Sequence, residues 1–265
     1  INRVDLIIEV RDARIPISTG HPHLNKWIDN KKHLLVINKS DMISTNAIKA
    51  WDEWFKNKNS KVLWCNSKAG SGIKEICKSA KEARASIDQR RISRGMKIRP
   101  IRALTLGFPN VGKSALINRI ANKKVVESAR KAGVTRSLRW IRLDNGIDLL
   151  DAPGVIPPNL EDQKAALNLA ICDDIGEAGY DLESVSIEFL KKILDLYVNK
   201  NANISIDKIS LRYGVNLMDS FTEPEKWIFN AAEKHTSGDT RRMSHKLLED
   251  FRSLMLGNIS LEVPI

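Results

Sequence analysis

The chain has 265 residues, 42% of them hydrophobic, and its 43 Lys and Arg against 32 Asp and Glu give a net charge of +11. That length holds a medium domain followed by a small one. No apolar run approaches the roughly 18 residues of a membrane-crossing helix, no secretory leader is visible, and Cys65, Cys77 and Cys172 form neither a CxxC pair nor a Cys/His cluster, so a membrane role, a zinc site and a disulfide scaffold are set aside.

In chain order, VDLIIEV (4–10) is a short β-branched run and reads as a buried strand, as do HLLVINK (33–39), KVLWC (61–65) and IRALTLG (101–107). HPHLNKWIDN (21–30), NAIKAWDEWFKNK (46–58), GIKEICKSAKEARASIDQRR (72–91) and SALINRIAN (114–122) have helical spacing. SLRWIRL (137–143) and IDLLD (147–151), joined by Asp144-Asn145-Gly146, read as an antiparallel hairpin. Strands alternating with helices predict an α/β fold with a mostly parallel six-stranded sheet. PGVIPPNLEDQ (153–163) breaks the pattern, and the segments 163–173, 184–199, 205–213, 223–235 and 239–256 are all helical in spacing. The expected organisation is one α/β domain over 1–159 and a small all-helical domain over 160–265. The first residue is Ile1, so the sequence reads as a fragment or one lacking its start.

GFPNVGKS (107–114) fits GxxxxGK[ST] between a strand and a helix, the context in which backbone N–H groups and a helix N-terminus cradle phosphates. Asn110, Val111, Gly112, Lys113, Ser114 and Ala115 are the expected phosphate-binding set, with Lys113 reaching the β- and γ-phosphates and Ser114 holding Mg²⁺. DAPG (151–154) ends a strand some forty residues later. Its Asp151 is read as an Mg²⁺ group and its Gly154 N–H as a γ-phosphate contact. Thr135 of AGVTRS (132–137) is the candidate switch threonine on Mg²⁺. Lys113, Thr135 and Gly154 are the residues expected to carry catalysis.

NKSD (38–41) also closes a strand. A carboxylate at Asp41 accepts from guanine N1–H and the 2-amino group, whereas adenine offers no such donor pair. Asn38 is read as bracing the loops and Lys39 as lying over the base. One strand later, Asn66-Ser67-Lys68 takes the place of a Ser-Ala-Lys base loop, with the Ser67 N–H expected to meet guanine O6. With the phosphate loop, Thr135, DAPG, NKSD and the Asn66–Lys68 loop numbered 1 to 5, the guanine motifs precede the phosphate loop and the chain carries the set in the order 4-5-1-2-3. A sheet preserves its neighbours when old ends are joined and new ones cut, so the order implies a circular permutation.

With DARIP (12–16), these stretches resemble the circularly permuted ribosome-assembly GTPases of the YlqF/RbgA family along nearly the whole chain. The resemblance implies GTP hydrolysis to GDP coupled to late maturation of the large ribosomal subunit, contact with its rRNA, and a location in the bacterial cytoplasm or an organelle stroma or matrix. Val155, where Ras-like proteins carry a water-orienting Gln, implies slow intrinsic hydrolysis. In related potassium-stimulated GTPases an Asn at the place of Asn110 helps hold K⁺; a polar loop residue with positive φ is the other reading. Asp12 and Arg14 are expected to fix their own loop by an ion pair or to touch RNA.

Residues 1–159 carry 31 Lys and Arg against 14 Asp and Glu, and 160–265 carry 12 against 18. Two basic stretches, 74–102 with ten cations against three acids and 119–142 with eight against one, suggest an RNA footprint on the first domain. The helical domain has a smaller cluster in Lys234, Arg241, Arg242 and Lys246. A GTPase acting on another RNA or protein target, such as a tRNA-modifying complex, and a scaffold that only senses nucleotide are the competing readings.

Overall fold

The computed structural model describes residues 4–24, 28, 31–126, 139–143, 146–151, 162–176, 179–199, 204–220 and 222–264. The chain divides into two compact units, one of Ile1–Ser40 with Asp52–Asn159 and one of Asp41–Trp51 with Leu160–Ile265. The second unit takes in Asp41–Trp51, a stretch that the sequence reading assigns to the first domain.

The first unit is built on a six-stranded sheet. β1 (Leu6–Asp12), β2 (Lys32–Asn38), β3 (Val62–Trp64), β4 (Ile101–Leu106), β5 (Arg139–Leu143) and β6 (Ile147–Asp151) lie in the order β3-β2-β1-β4-β6-β5. All pairs are parallel except β5–β6, the expected hairpin. β1 is central and buried along nearly its whole length, as its unbroken run LIIEV requires of a strand covered on both faces. Ile7 packs with Val4, Leu24, Leu104 and Leu106. The helix read over 21–30 falls partly outside the described residues; Leu24 and Ile28 are helical.

The helix α1 (Thr45–Asn57) is divided between the units after Trp51, while α2 (Ile73–Ser93) and α3 (Lys113–Ile120) lie in the same unit as the sheet. α2 buries Ile76, Ala80, Ala83, Ile87 and Arg91, a stripe at helical spacing, while its other faces meet water. Because β1, β2, β3, β4 and β6 run parallel, their C-terminal ends share one edge. The strand order reverses between β1 and β4 there, the position at which open α/β sheets bind ligands.

The second unit is helical, as its spacing predicts: α4 (Gln163–Ile171), α5 (Leu182–Val198), α6 (Ile206–Tyr213), α7 (Pro224–His235) and α8 (Thr240–Arg252). Asp162, Asp181 and Asp239 cap α4, α5 and α8 by accepting backbone N–H bonds. Phe189 meets Phe251 at 4.9 Å between ring centroids, and Tyr213 and Trp227 meet edge to face at 5.1 Å. α8 stops four residues short of its expected end at 256. Leu254 turns left-handed (φ +66°) and the Met255 N–H closes back on the Asp250 carbonyl, a helix-ending turn that apolar spacing does not reveal. Among the described residues no helix is long and apolar enough to cross a membrane.

Candidate functional site

The loop after β4 is the phosphate-cradle sequence, and close approach determines its glycines. A Cβ on Gly107 would lie 2.4 Å from the Val10 carbonyl oxygen. Gly112 has φ +98°, and a Cβ there would lie 2.1 Å from Asn38 Nδ2. No L side chain fits either place without moving its neighbours. Lys113 opens α3 and is buried, its Nζ donating to the carbonyls of Gly107 (3.2 Å) and Phe108 (2.7 Å). The ammonium is thus held inside the loop it serves. Val111 is fully buried, Ser114 and Ala115 are partly buried in the first turn of α3, and Asn110 is left-handed at φ +56°.

Asn38 joins this loop to the base loops. Its Nδ2 donates to the Val111 carbonyl at 2.8 Å, and its Oδ1 accepts from Ser67 N (2.9 Å) and Ser67 Oγ (2.8 Å). One buried amide therefore ties the ends of β2, β3 and β4 together, the bracing expected of it. The same contacts correct the expectation for Ser67. Its N–H does not face outward for guanine O6, because Asn38 Oδ1 takes both the N–H and the hydroxyl. Next along the chain, the N–H groups of Lys68 and Ala69 both donate to Asn66 Oδ1 at 2.9 Å.

Arg119, on the last turn of α3, donates from Nε to the Ser67 carbonyl (3.0 Å) and from Nη2 to the Lys68 carbonyl. In the sequence it is one cation in a basic stretch, with nothing to separate it from the rest. Here it fastens the phosphate-loop helix to the base loop. Other cations of the supposed RNA footprint are also committed inside the unit: Arg91 and Arg99 pair with Asp5, and Arg84 with Asp88. Residues 92–100 remain exposed throughout.

Lys39 leaves β2 in a left-handed conformation (φ +61°), and its Nζ lies 2.6 Å from Asp12 Oδ2. Asp12 is fully buried and also takes the guanidinium of Arg14, Nε on Oδ1 at 3.0 Å and Nη2 on Oδ2 at 2.8 Å. Burial alone would raise the Asp12 carboxyl. The charges of Arg14 and Lys39 outweigh it and hold the group far below the ordinary carboxylate range. The ion pair expected between Asp12 and Arg14 is present, and Lys39 joins it. Asp41 lies exposed in the short 3₁₀ turn Ser40–Met42. Asp151 ends β6, buried and in register with Thr105 of β4. Thr135, Gly154 and Val155 lie outside the described residues.

Comparison with known proteins gives this geometry its setting. Residues 102–201 match the family described as 50S ribosome-binding GTPase. The ribosome biogenesis GTPase A of Bacillus cereus is 32% identical over 268 residues, covering 98% of this chain and 87% of its own. Short integuments 2, a mitochondrial protein of Arabidopsis thaliana, is 28% identical over 199 residues, 70% of this chain and 50% of its own. The crystal structure of GNP-bound YlqF from Thermotoga maritima superposes with a TM-score of 0.64 at 22% identity, covering 100% of this chain and 94% of that one, and so shares the fold. With the motif order, the sheet and a relative similar along almost its entire length in agreement, the chain belongs to the ribosome biogenesis GTPase A (YlqF/RbgA) family.

Proposed function

We propose that this chain binds GTP at the shared C-terminal edge of its parallel strands and hydrolyses it as a switch in late assembly of the large ribosomal subunit. The observation that carries the reading is Asn38, whose amide joins the phosphate loop at Val111 to the base loop at Ser67. The bond to Val111 spans 73 residues and supports reading the two motifs, in reversed order, as parts of one site.

In this reading Asp41 takes the guanine N1–H and amino group, Lys39 covers the base, and the Asn66–Lys68 loop lines its far side. Gly112, Lys113, Ser114 and Ala115 surround the phosphates, and Lys113 offers its charge to the β- and γ-oxygens. Ser114 in the first turn of α3 and Asp151 at the end of β6 supply hard oxygen donors, a set that fits Mg²⁺. When bound, that ion neutralises phosphate charge; Thr135 would complete its protein ligands and Gly154 would meet the γ-phosphate. The left-handed Asn110 is the candidate K⁺ ligand. With Val155 unable to orient water, unaided turnover is slow and the partner supplies the missing help. That partner is the large-subunit precursor and its rRNA, met in part by the exposed stretch that includes Arg94 and Lys97. The division of labour is a GTPase domain over 1–159 and a helical domain over 160–265, in a bacterial cytoplasm or an organelle matrix or stroma.

The test is GTP hydrolysis in KCl and in NaCl, with and without purified large ribosomal subunits. Strong stimulation by the subunits is the expected result. Tight guanine binding without stimulation would keep the site and redirect the search to another RNA or protein target.

A further inference from the structure

We infer that Asp12 is a positioning residue for guanine recognition, acting through Lys39. This rests on the reading of the loop after β2 as the guanine loop. Asp12 and Asn38 are register partners at the ends of neighbouring parallel strands. The Ala13 N–H donates to the Asn38 carbonyl at 2.9 Å, so the DARIP loop and the guanine loop leave the sheet joined at the backbone.

Their side chains join as well. Both Asp12 oxygens are engaged by Arg14, whose backbone N–H adds a third bond to Oδ1 at 2.8 Å. That is already enough to brace the DARIP loop. Yet the shortest contact at the carboxylate is the one to Lys39, at 2.6 Å, and this lysine belongs to the other loop.

Lys39 needs such an anchor. Its backbone is left-handed, a conformation that L side chains rarely adopt. Its long stem also loses rotamer entropy whenever it is ordered against a flat ligand. A buried carboxylate at the far end of the stem, paired with Arg14 as well, fixes the ammonium before the base arrives. The aliphatic carbons are then the part left to cover it. The affinity gained is that of a preorganised loop.

The measurement is binding of a fluorescent GDP analogue to the whole chain in four forms: wild type, Asp12→Asn, Lys39→Met and the double variant. Asp12→Asn keeps an amide oxygen for Arg14 and removes the charge that holds Lys39. The expected result is about a tenfold loss of affinity when Lys39 is present and less than about twofold when it is replaced. Equal losses in both backgrounds, or none in either, would overturn the inference. Should Asp12→Asn fail to fold, Lys39→Arg and Lys39→Gln ask the same question from the other end. Arginine retains a cation for Asp12 and should recover most of the affinity that glutamine loses; equal losses would sink the idea. The underlying reading fails differently: Lys39→Met would then bind the analogue as well as wild type does.

Discussion

Each unit contains a buried carboxylate gripped by an arginine fork, and the two differ in where the remaining contact goes. In the helical unit Asp250 takes Arg212 at 2.7 Å on each oxygen and the Tyr213 hydroxyl at 2.6 Å. Burial and the Asp250 charge push the Tyr213 hydroxyl well above the usual phenol range, so it stays a donor. The cluster staples α6 to α8, and Lys246, whose Nζ lies 3.8 Å from Asp250 Oδ2, is on α8 itself rather than in another loop. In the sheet unit Asp12 takes its Arg14 fork and then reaches a lysine in a neighbouring loop. The same chemistry serves packing in one place and loop placement in the other. Mutations should therefore separate the two: changes at the sheet edge should remove binding and turnover, and changes among the helices should remove stability.

The largest effect expected is at Lys113. Lys113→Ala removes the buried cation between the Gly107 and Phe108 carbonyls, and with it the charge offered to the phosphates. GTP turnover should fall by about a thousandfold, measured in single-turnover assays, with little change in thermal unfolding. A mere tenfold loss would break the assignment.

Next comes Gly112→Ala, which places a carbon where Asn38 Nδ2 now lies and forces an L residue into φ +98°. The Asn38 bond to Val111 must open. Stability should drop by about 2–3 kcal/mol and nucleotide affinity by about a hundredfold. A variant that melts early but binds normally would show that Asn38 is mere packing.

The parts of this site that were legible in the sequence are those encoded by local pattern. The phosphate loop, the strand ends and the reversed motif order follow from short-range spacing, as does the helical run after residue 160. Ser67 was misplaced because a tripeptide match carries no information about which way a peptide plane faces; Asn38, twenty-nine residues earlier, decides it. Arg119 was hidden because a cation on a helix end has the same sequence signature whether it meets RNA, water or two carbonyls. The Lys39–Asp12 tie depends on two parallel strands ending side by side, a fact of register. The end of α8 depends on one leucine turning left-handed.

At Asp250 the comparison runs the other way. Asp250→Asn leaves Arg212 without its charge partner in a half-buried setting, and should cost about 2 kcal/mol of stability in thermal or urea unfolding. GTP turnover should stay within about twofold of wild type. A matching loss of turnover would mean that the helical unit's carboxylate serves the site as well, and the distinction between the two would collapse.

The smallest effect is the pH dependence of that difference. Burial by itself would raise the Asp250 carboxyl, but the hydrogen bonds from Arg212 and Tyr213 and the Arg212 charge bring it below its ordinary value of 3.8. A carboxyl whose folded value is depressed contributes stability that is complete above the unfolded value. That contribution fades as pH falls through the folded one. The stability gap between wild type and Asp250→Asn should therefore be constant from about pH 7 to pH 5 and begin to narrow only below about pH 4. Water reaches part of the cluster and screens it, so the narrowing should amount to about 1 kcal/mol or less. Urea unfolding at pH 7, 5 and 3.5 reads it directly. A gap that narrowed between pH 7 and pH 5 would place the titration on some other group, and a gap that widened in acid would reverse the sign of the Asp250 contribution.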